Sequence, residues 1–231
     1  MGTHSHTYKQ FDAELRSLKD QVLAMGGLVE AHIAEAMQAL IERDPVRAQK
    51  VIDEDRQVNK MELAIDELCI RILALRQPAG SDLRFVAAAL KIVVDLERIG
   101  DLTVNMAERA IFLSQHPPMR ALVDLPRMAQ AVKGMLRDAL DSFITGDVAK
   151  AESVLRADDE VDKQLVVIFE ELRAEMRRDP EVIDRAISLI FFAKHLERLA
   201  DHTTNVAEMV VFQVRGTDVR HRLSRETGQP R

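Results

Sequence analysis

The chain has 231 residues, 47% of them hydrophobic and 30% charged, which gives enough apolar side chain for a substantial core and excludes a disordered chain. A formal net charge of −6 argues against non-specific binding to nucleic acid through phosphate contacts and leaves cations or basic surfaces as partners. The single cysteine, Cys69, excludes an internal disulfide and reads as a small core residue in a reducing compartment.

The N-terminal MGTHSHTYKQ has no apolar segment of the kind a signal peptide needs, and no run of about 18 apolar residues occurs, so a cytoplasmic protein is expected. Residues 1–7 and 217–231 read as flexible tails. A first helix runs up to Asp44-Pro45, an N-cap followed by proline at the first position of the second helix. The second helix carries Val51, Val58, Ile65, Cys69 and Ile72 at helical spacing and ends at Pro78-Ala-Gly-Ser-Asp82. The third runs to Gln115-His-Pro-Pro118, and the loop continues to about Asp124. The fourth ends at Gly146, with Asp147 as N-cap of the fifth, and Asp179-Pro180 opens the sixth. No alternating strand pattern and no hairpin dipeptide interrupts this series. Gly100, inside the third helix, marks close helix packing. Met25, Met37, Met61 and Met106 read as core filling.

The chain repeats itself. Leu96-Glu-Arg-Ile-Gly-Asp-Leu-Thr-Val-Asn-Met-Ala-Glu108 returns 100 residues later as Leu196-Glu-Arg-Leu-Ala-Asp-His-Thr-Thr-Asn-Val-Ala-Glu208, with eight of thirteen positions identical. Upstream, at an offset of 103, Asp44, Ala48, Val51, Asp55, Val58 and Lys60 match Asp147, Ala151, Val154, Asp158, Val161 and Lys163. Met25, Val29 and Ala36 match Met128, Val132 and Ala139 at the same offset. The expected fold is all-α: two tandem, pseudo-symmetric, antiparallel three-helix bundles, spanning residues 8–117 and 118–216.

At 100° per residue, Glu97, Asp101, Asn105 and Glu108 fall within an arc of about 80° beside the apolar face. Asp55, Asn59, Glu62 and Asp66 form a similar stripe on the second helix. The second half repeats this with Asp158 and Asp162, and with Glu197, Asp201, Asn205 and Glu208. Two such stripes meet if these helices are antiparallel neighbours. Like charges at i,i+4 destabilise a helix by roughly 0.2–0.5 kcal/mol per pair, so their recurrence in both halves suggests a compensating hard cation. The plainer reading is a solvated acidic face balanced by Arg98 and Arg198. His195 and His202 flank the second motif, but the first half has Asp95 and Leu102 there, which favours bundle-edge residues over ligands. None of the seven histidines follows a glutamate by three positions, and zinc, phosphate-loop and nucleophile-elbow motifs are absent.

The sequence resembles the PhoU family over roughly residues 5 to 217. The resemblance is carried by Phe11-Asp-x-Glu14-Leu15, Asp82-Leu-Arg84, the two Leu-Glu-Arg-x-x-Asp segments and Gly216-x-Asp218-x-Arg220-His221. It implies an E(D)-x-x-x-D metal site in each bundle. Glu97 and Asp101 match the pattern on the third helix and Glu197 and Asp201 on the sixth. Asp55 and Asp158 open it on helices two and five, and Asp162 completes the fifth. Asn59 departs, placing an amide where the family usually has a carboxylate, so weaker or different metal binding is expected in the first bundle. Iron, manganese and magnesium are all open as the metal. The resemblance further implies a cytoplasmic negative regulator of the phosphate-starvation response and modulator of phosphate uptake. Such a protein is an adaptor between the ATPase subunit of a phosphate ABC transporter and a sensor histidine kinase. It is a homodimer, reaches the membrane only through its partners, binds no nucleic acid and is not an enzyme. The residues leave two alternatives open: a metal-dependent hydrolase using carboxylate-bound ions to activate water, and a metal-free helical scaffold.

Overall fold

A computed structural model describes residues 3–119 and 124–217, with side chains from residue 9 onward. Its regular structure is helical: α1 (Thr3–Glu42), α2 (Pro45–Arg76), α3 (Gly80–Ser114), α4 (Leu125–Thr145), α5 (Val148–Arg178) and α6 (Ile183–Arg215), with one 3₁₀ turn (Pro180–Val182) leading into α6. The backbone of residues 3–7, expected as a tail, belongs to α1; the expected tail residues 1–2 and 218–231 lie outside the described residues. None of the described helices is long and apolar enough to cross a membrane.

The predicted caps hold these boundaries. Asp44 accepts from the backbone N–H groups of Val46 and Arg47, Asp147 from that of Lys150, and Asp179 from that of Glu181. Gly146 ends α4 and Gly216 ends α6 in the left-handed conformation, at φ of 70° and 69°. Arg43 also takes a positive φ, in the two-residue turn between α1 and α2. From there its guanidinium donates to the carbonyls of Ser114, at 3.0 Å, and His116, so it closes the end of α3.

Helices α1, α2 and α3 pack on one another as one antiparallel bundle, and α4, α5 and α6 as a second. The two meet along a long α3–α6 seam and a second contact between α1 and α4. A Cβ added at Gly26 of α1 would meet the end of the Leu140 side chain of α4, so the glycine leaves room for that leucine between the two helices. The buried side chains of both halves join in one core that includes Met25, Ile33, Ile65, Cys69, Ile92 and Leu96, and Leu136, Phe143, Leu172, Phe192 and Leu199. Of the methionines expected inside, Met25, Met37 and Met106 are buried and Met61 packs at the edge.

Two of the sequence motifs have structural work at the same end of the molecule. Glu14 accepts two hydrogen bonds from Arg76, each 2.9 Å, in a bidentate pair that ties α1 to the end of α2. Arg84 donates through Nε to the carbonyl of Gln213 at 2.9 Å and ties α3 to the last turn of α6. Asp218, Arg220 and His221 of the C-terminal motif lie outside the described residues.

Candidate functional site

In the first bundle the rotation of α2 is set by Val51, Val58, Ile65, Cys69 and Ile72, and that of α3 by Ile92, Leu96, Ile99 and Met106, all buried. With those faces inward, the polar residues beside them come together. Asp55 and Glu62 of α2 stand close to Glu97 and Asp101 of α3, with Asn59 and Asp66 along the same stretch of α2. Asp55 accepts from the Asn59 amide through Oδ2 at 3.2 Å. Its other oxygen, Oδ1, is buried without a hydrogen-bond partner, as are Asn59 Oδ1 and Asp66 Oδ1. A Cβ on Gly100 would lie 3.2 Å from Asp55 Oδ1 and 3.2 Å from Val58 Cγ1, so the glycine leaves the space in which that carboxylate rests.

The electrostatics match this crowding. Burial, then the Asp101 charge, pushes the Asp55 carboxyl above its ordinary range. Burial, then Asp101, does the same to Glu97, against the pull of Arg98. Burial, then Asp66, raises Glu62. Arg98 lies 3.5 Å from Glu97 and 3.3 Å from Asp101, but at 57% exposure it screens the cluster from outside.

The second bundle repeats the arrangement with less crowding. Glu197 accepts from Lys194 at 2.6 Å through Oε1, while its Oε2 is buried without a hydrogen-bond partner. Partial desolvation, then Glu197, raises the Asp162 carboxyl. Asp158 is half-buried on the same stretch of α5, and Asp201 is exposed on α6. Ala200 is fully buried in the place that Gly100 takes in the first half. Among the described residues, no three His, Cys, Asp or Glu heads converge on a point that would hold a metal ion as they stand. The chemistry of the donors nevertheless suits a hard cation, because buried carboxylate and amide oxygens lack partners on the facing helices.

Substituting Gly100 probes the first cluster directly. Gly100→Ala gains about 1 kcal/mol of helix propensity and loses part of it to the two tight contacts. Gly100→Val adds branches that strike Asp55 and Val58 and is expected to cost about 1–3 kcal/mol in thermal or urea unfolding. An unchanged melting curve for the valine variant would contradict the close approach of α2 and α3.

The α6 stripe does not stay together. Asn205, expected beside Glu197 and Asp201, donates instead across the seam to Asp95 Oδ1 on α3 at 3.0 Å. The same oxygen accepts from Nδ1 of His202 at 2.9 Å. The counterpart of Asp95 in the repeat is His195, whose Nδ1 is buried without a partner. Burial, then the charges of Arg198 and Arg109, lowers its pKa to about 4. The sequence placed both histidines near the bundle edge but held no signal for the Asp95 network, whose members are 107 and 110 residues apart.

A histidine with a depressed folded pKa binds its proton more readily in the unfolded chain. The stability it contributes is present above its ordinary value near 6.5 and is lost as the pH falls towards 4. Between pH 7 and pH 5, His195→Gln is therefore expected to lose about 1–2 kcal/mol less stability than wild type in urea unfolding. Parallel losses in the two proteins would mean that His195 is not held neutral by the fold.

The chain as a whole is similar to known proteins. Residues 22–110 and 125–210 each match the model of the PhoU domain. The chain is 46% identical over 220 residues to a Pseudomonas putida protein named phosphate-specific transport system accessory protein PhoU homolog, covering 95% of this chain and 86% of that one. It is 38% identical over 223 residues to phosphate-specific transport system accessory protein PhoU of Escherichia coli K12, covering 96% and 92%. It is similar to the crystal structure of PhoU from Pseudomonas aeruginosa, with a TM-score of 0.85, 44% identity and coverage of 90% of this chain and 100% of that one. It is also similar to the phosphate transport system regulatory protein PhoU from Streptococcus pneumoniae, with a TM-score of 0.83, 32% identity and coverage of 90% and 99%.

Proposed function

Because this chain belongs to the PhoU family, we propose that it is an accessory protein of a phosphate-specific transport system, acting as a cytoplasmic negative regulator of the phosphate-starvation response. The observation that carries this reading is the match of both halves to one domain, with near full-length similarity to proteins named for that system. In the finer reading it is an adaptor and a homodimer. It joins the ATPase subunit of a phosphate ABC transporter to a sensor histidine kinase, and it is not an enzyme. Exposed apolar side chains on α5 and α6, among them Val166, Phe169, Ile187 and Phe191, supply surface for such a partner.

In the same reading Asp55, Asn59, Glu97 and Asp101 hold a metal in the first bundle, and Asp158, Asp162, Glu197 and Asp201 in the second. Iron, manganese or magnesium would suit these oxygen donors. A bound cation supplies positive charge where the protein has gathered repelling carboxylates. The chain's own part is to hold those carboxylates on facing helices, with Glu97 and Glu197 largely withdrawn from water.

Deletion of the gene is expected to derepress phosphate-starvation genes in high phosphate, with wild-type complementation restoring repression. Unchanged expression in the deletion strain would overturn the regulatory role. A phosphatase screen with added divalent ions tests the hydrolase alternative, and turnover abolished by Glu97→Gln would favour it.

A further inference from the structure

We propose that a second, separate site lies at the end of the molecule where α1, α3 and α6 meet, and that it binds a phosphoryl-bearing anion. A cleft of about 650 Å³ opens there, within the range of small-molecule sites. Three cations from two helices line it: Arg16 and Lys19 of α1 and Arg84 of α3, with Ser81 beside them. The carboxylates assigned to metal lie elsewhere on α2, α3, α5 and α6, so this site is independent of that reading.

Among the described residues, none of the three cations is paired with a carboxylate. Arg16 donates through Nε to the backbone carbonyl of Asp12 at 3.2 Å, and Arg84 through Nε to that of Gln213 at 2.9 Å. The Lys19 ammonium lies 5.2 Å from the centre of the Phe85 ring. Each guanidinium thus uses one of its five donors in these bonds and keeps its fork for another acceptor. Asp12 and Asp82 also line the cleft, and among the described residues no ion pair joins either to the three cations. The lining therefore carries one net positive charge in a chain whose net charge is −6.

Two guanidinium forks on different helices suit a tetrahedral oxyanion better than a single planar carboxylate. The cleft is larger than one inorganic phosphate needs, and Leu15, Phe85 and Val214 give it an apolar wall for an organic group. Because Arg84 joins α3 to α6, an anion seated here braces the first bundle against the last turn of the second.

The test is calorimetric titration of the full chain in phosphate-free buffer with inorganic phosphate, pyrophosphate and ATP, each as its sodium salt with chelator present. The Arg16→Gln/Lys19→Gln variant leaves Arg84 in place, and its unchanged melting curve would show that it folds. Arg127→Gln, which removes an exposed cation outside the cleft, is the control. The expected result is saturable binding of one ligand per chain, weakened at least about tenfold in the double variant and unaltered in the control. Binding of phosphate or pyrophosphate alone would identify a free ion as the ligand, and tighter binding of ATP an organic phosphate. No saturable binding of any probe at millimolar concentration would overturn the proposal, as would equal binding by the double variant.

Discussion

Converting Glu97 to Gln together with Asp101 to Asn is expected to abolish metal binding in the first bundle and to remove the rise in melting temperature that metal gives. In chelator the same variant should be as stable as wild type or more stable. The two directions follow from one cause. Burial and neighbouring charge raise the Glu97 and Asp55 carboxyls, so the fold opposes their ionisation. A carboxyl with a raised folded pKa contributes stability that is full below its unfolded pKa and is lost as the pH rises through its folded value. At neutral pH the metal-free bundle therefore carries repulsion that neutral isosteres remove. A cation reverses the balance: at a concentration about 100 times its Kd it stabilises the folded state by about 2.7 kcal/mol. Elemental analysis of protein purified without tag or chelator, beside melting with iron, manganese or magnesium, measures both effects. Equal metal content and an equal metal-induced shift in the variant would remove these residues from any metal site. Asn59 gives a further comparison, since it leaves the first cluster one carboxylate poorer than the pattern in the second.

Phe143→Ala is expected to cost about 3–5 kcal/mol in urea unfolding, a large share of a stability that for most domains is about 5–15 kcal/mol. Phe143 is fully buried on α4, and its ring stacks on Phe85 of α3 at 5.0 Å with an interplanar angle of 11°. The two helices belong to different bundles, so the rings fill the space between halves. The core is one continuous cluster, and loss of the ring should lower the midpoint of a single transition without changing its slope. Two separated transitions would show that the halves unfold independently. A loss below about 1 kcal/mol would mean that the neighbours collapse into the vacated space.

Helix existence and boundaries were legible because their causes are local. Asp44, Asp147 and Asp179 cap the N–H groups two or three residues ahead of them, and Gly146 and Gly216 adopt positive φ where few other residues do so without strain. The duplication was legible because each half solves the same packing problem with the same periodic apolar face. Gly100 announced a close contact, but its neighbours, Asp55 and Val58, became known only from the fold.

By itself, then, the sequence determined six helices, their order, their doubling and the rows of carboxylates beside the core. These follow from capping and from a repeat of 3.6 residues per turn, which any stretch of chain carries within itself. Tertiary structure decided which rows meet. It set Asp55 over Gly100, turned Asn205 away from the acidic stripe to join His202 at Asp95, and brought Arg84 to Gln213, 129 residues away, at the rim of a basic cleft. Those pairings depend on how whole helices rotate and cross when their apolar faces are buried together, and no local spacing encodes that choice.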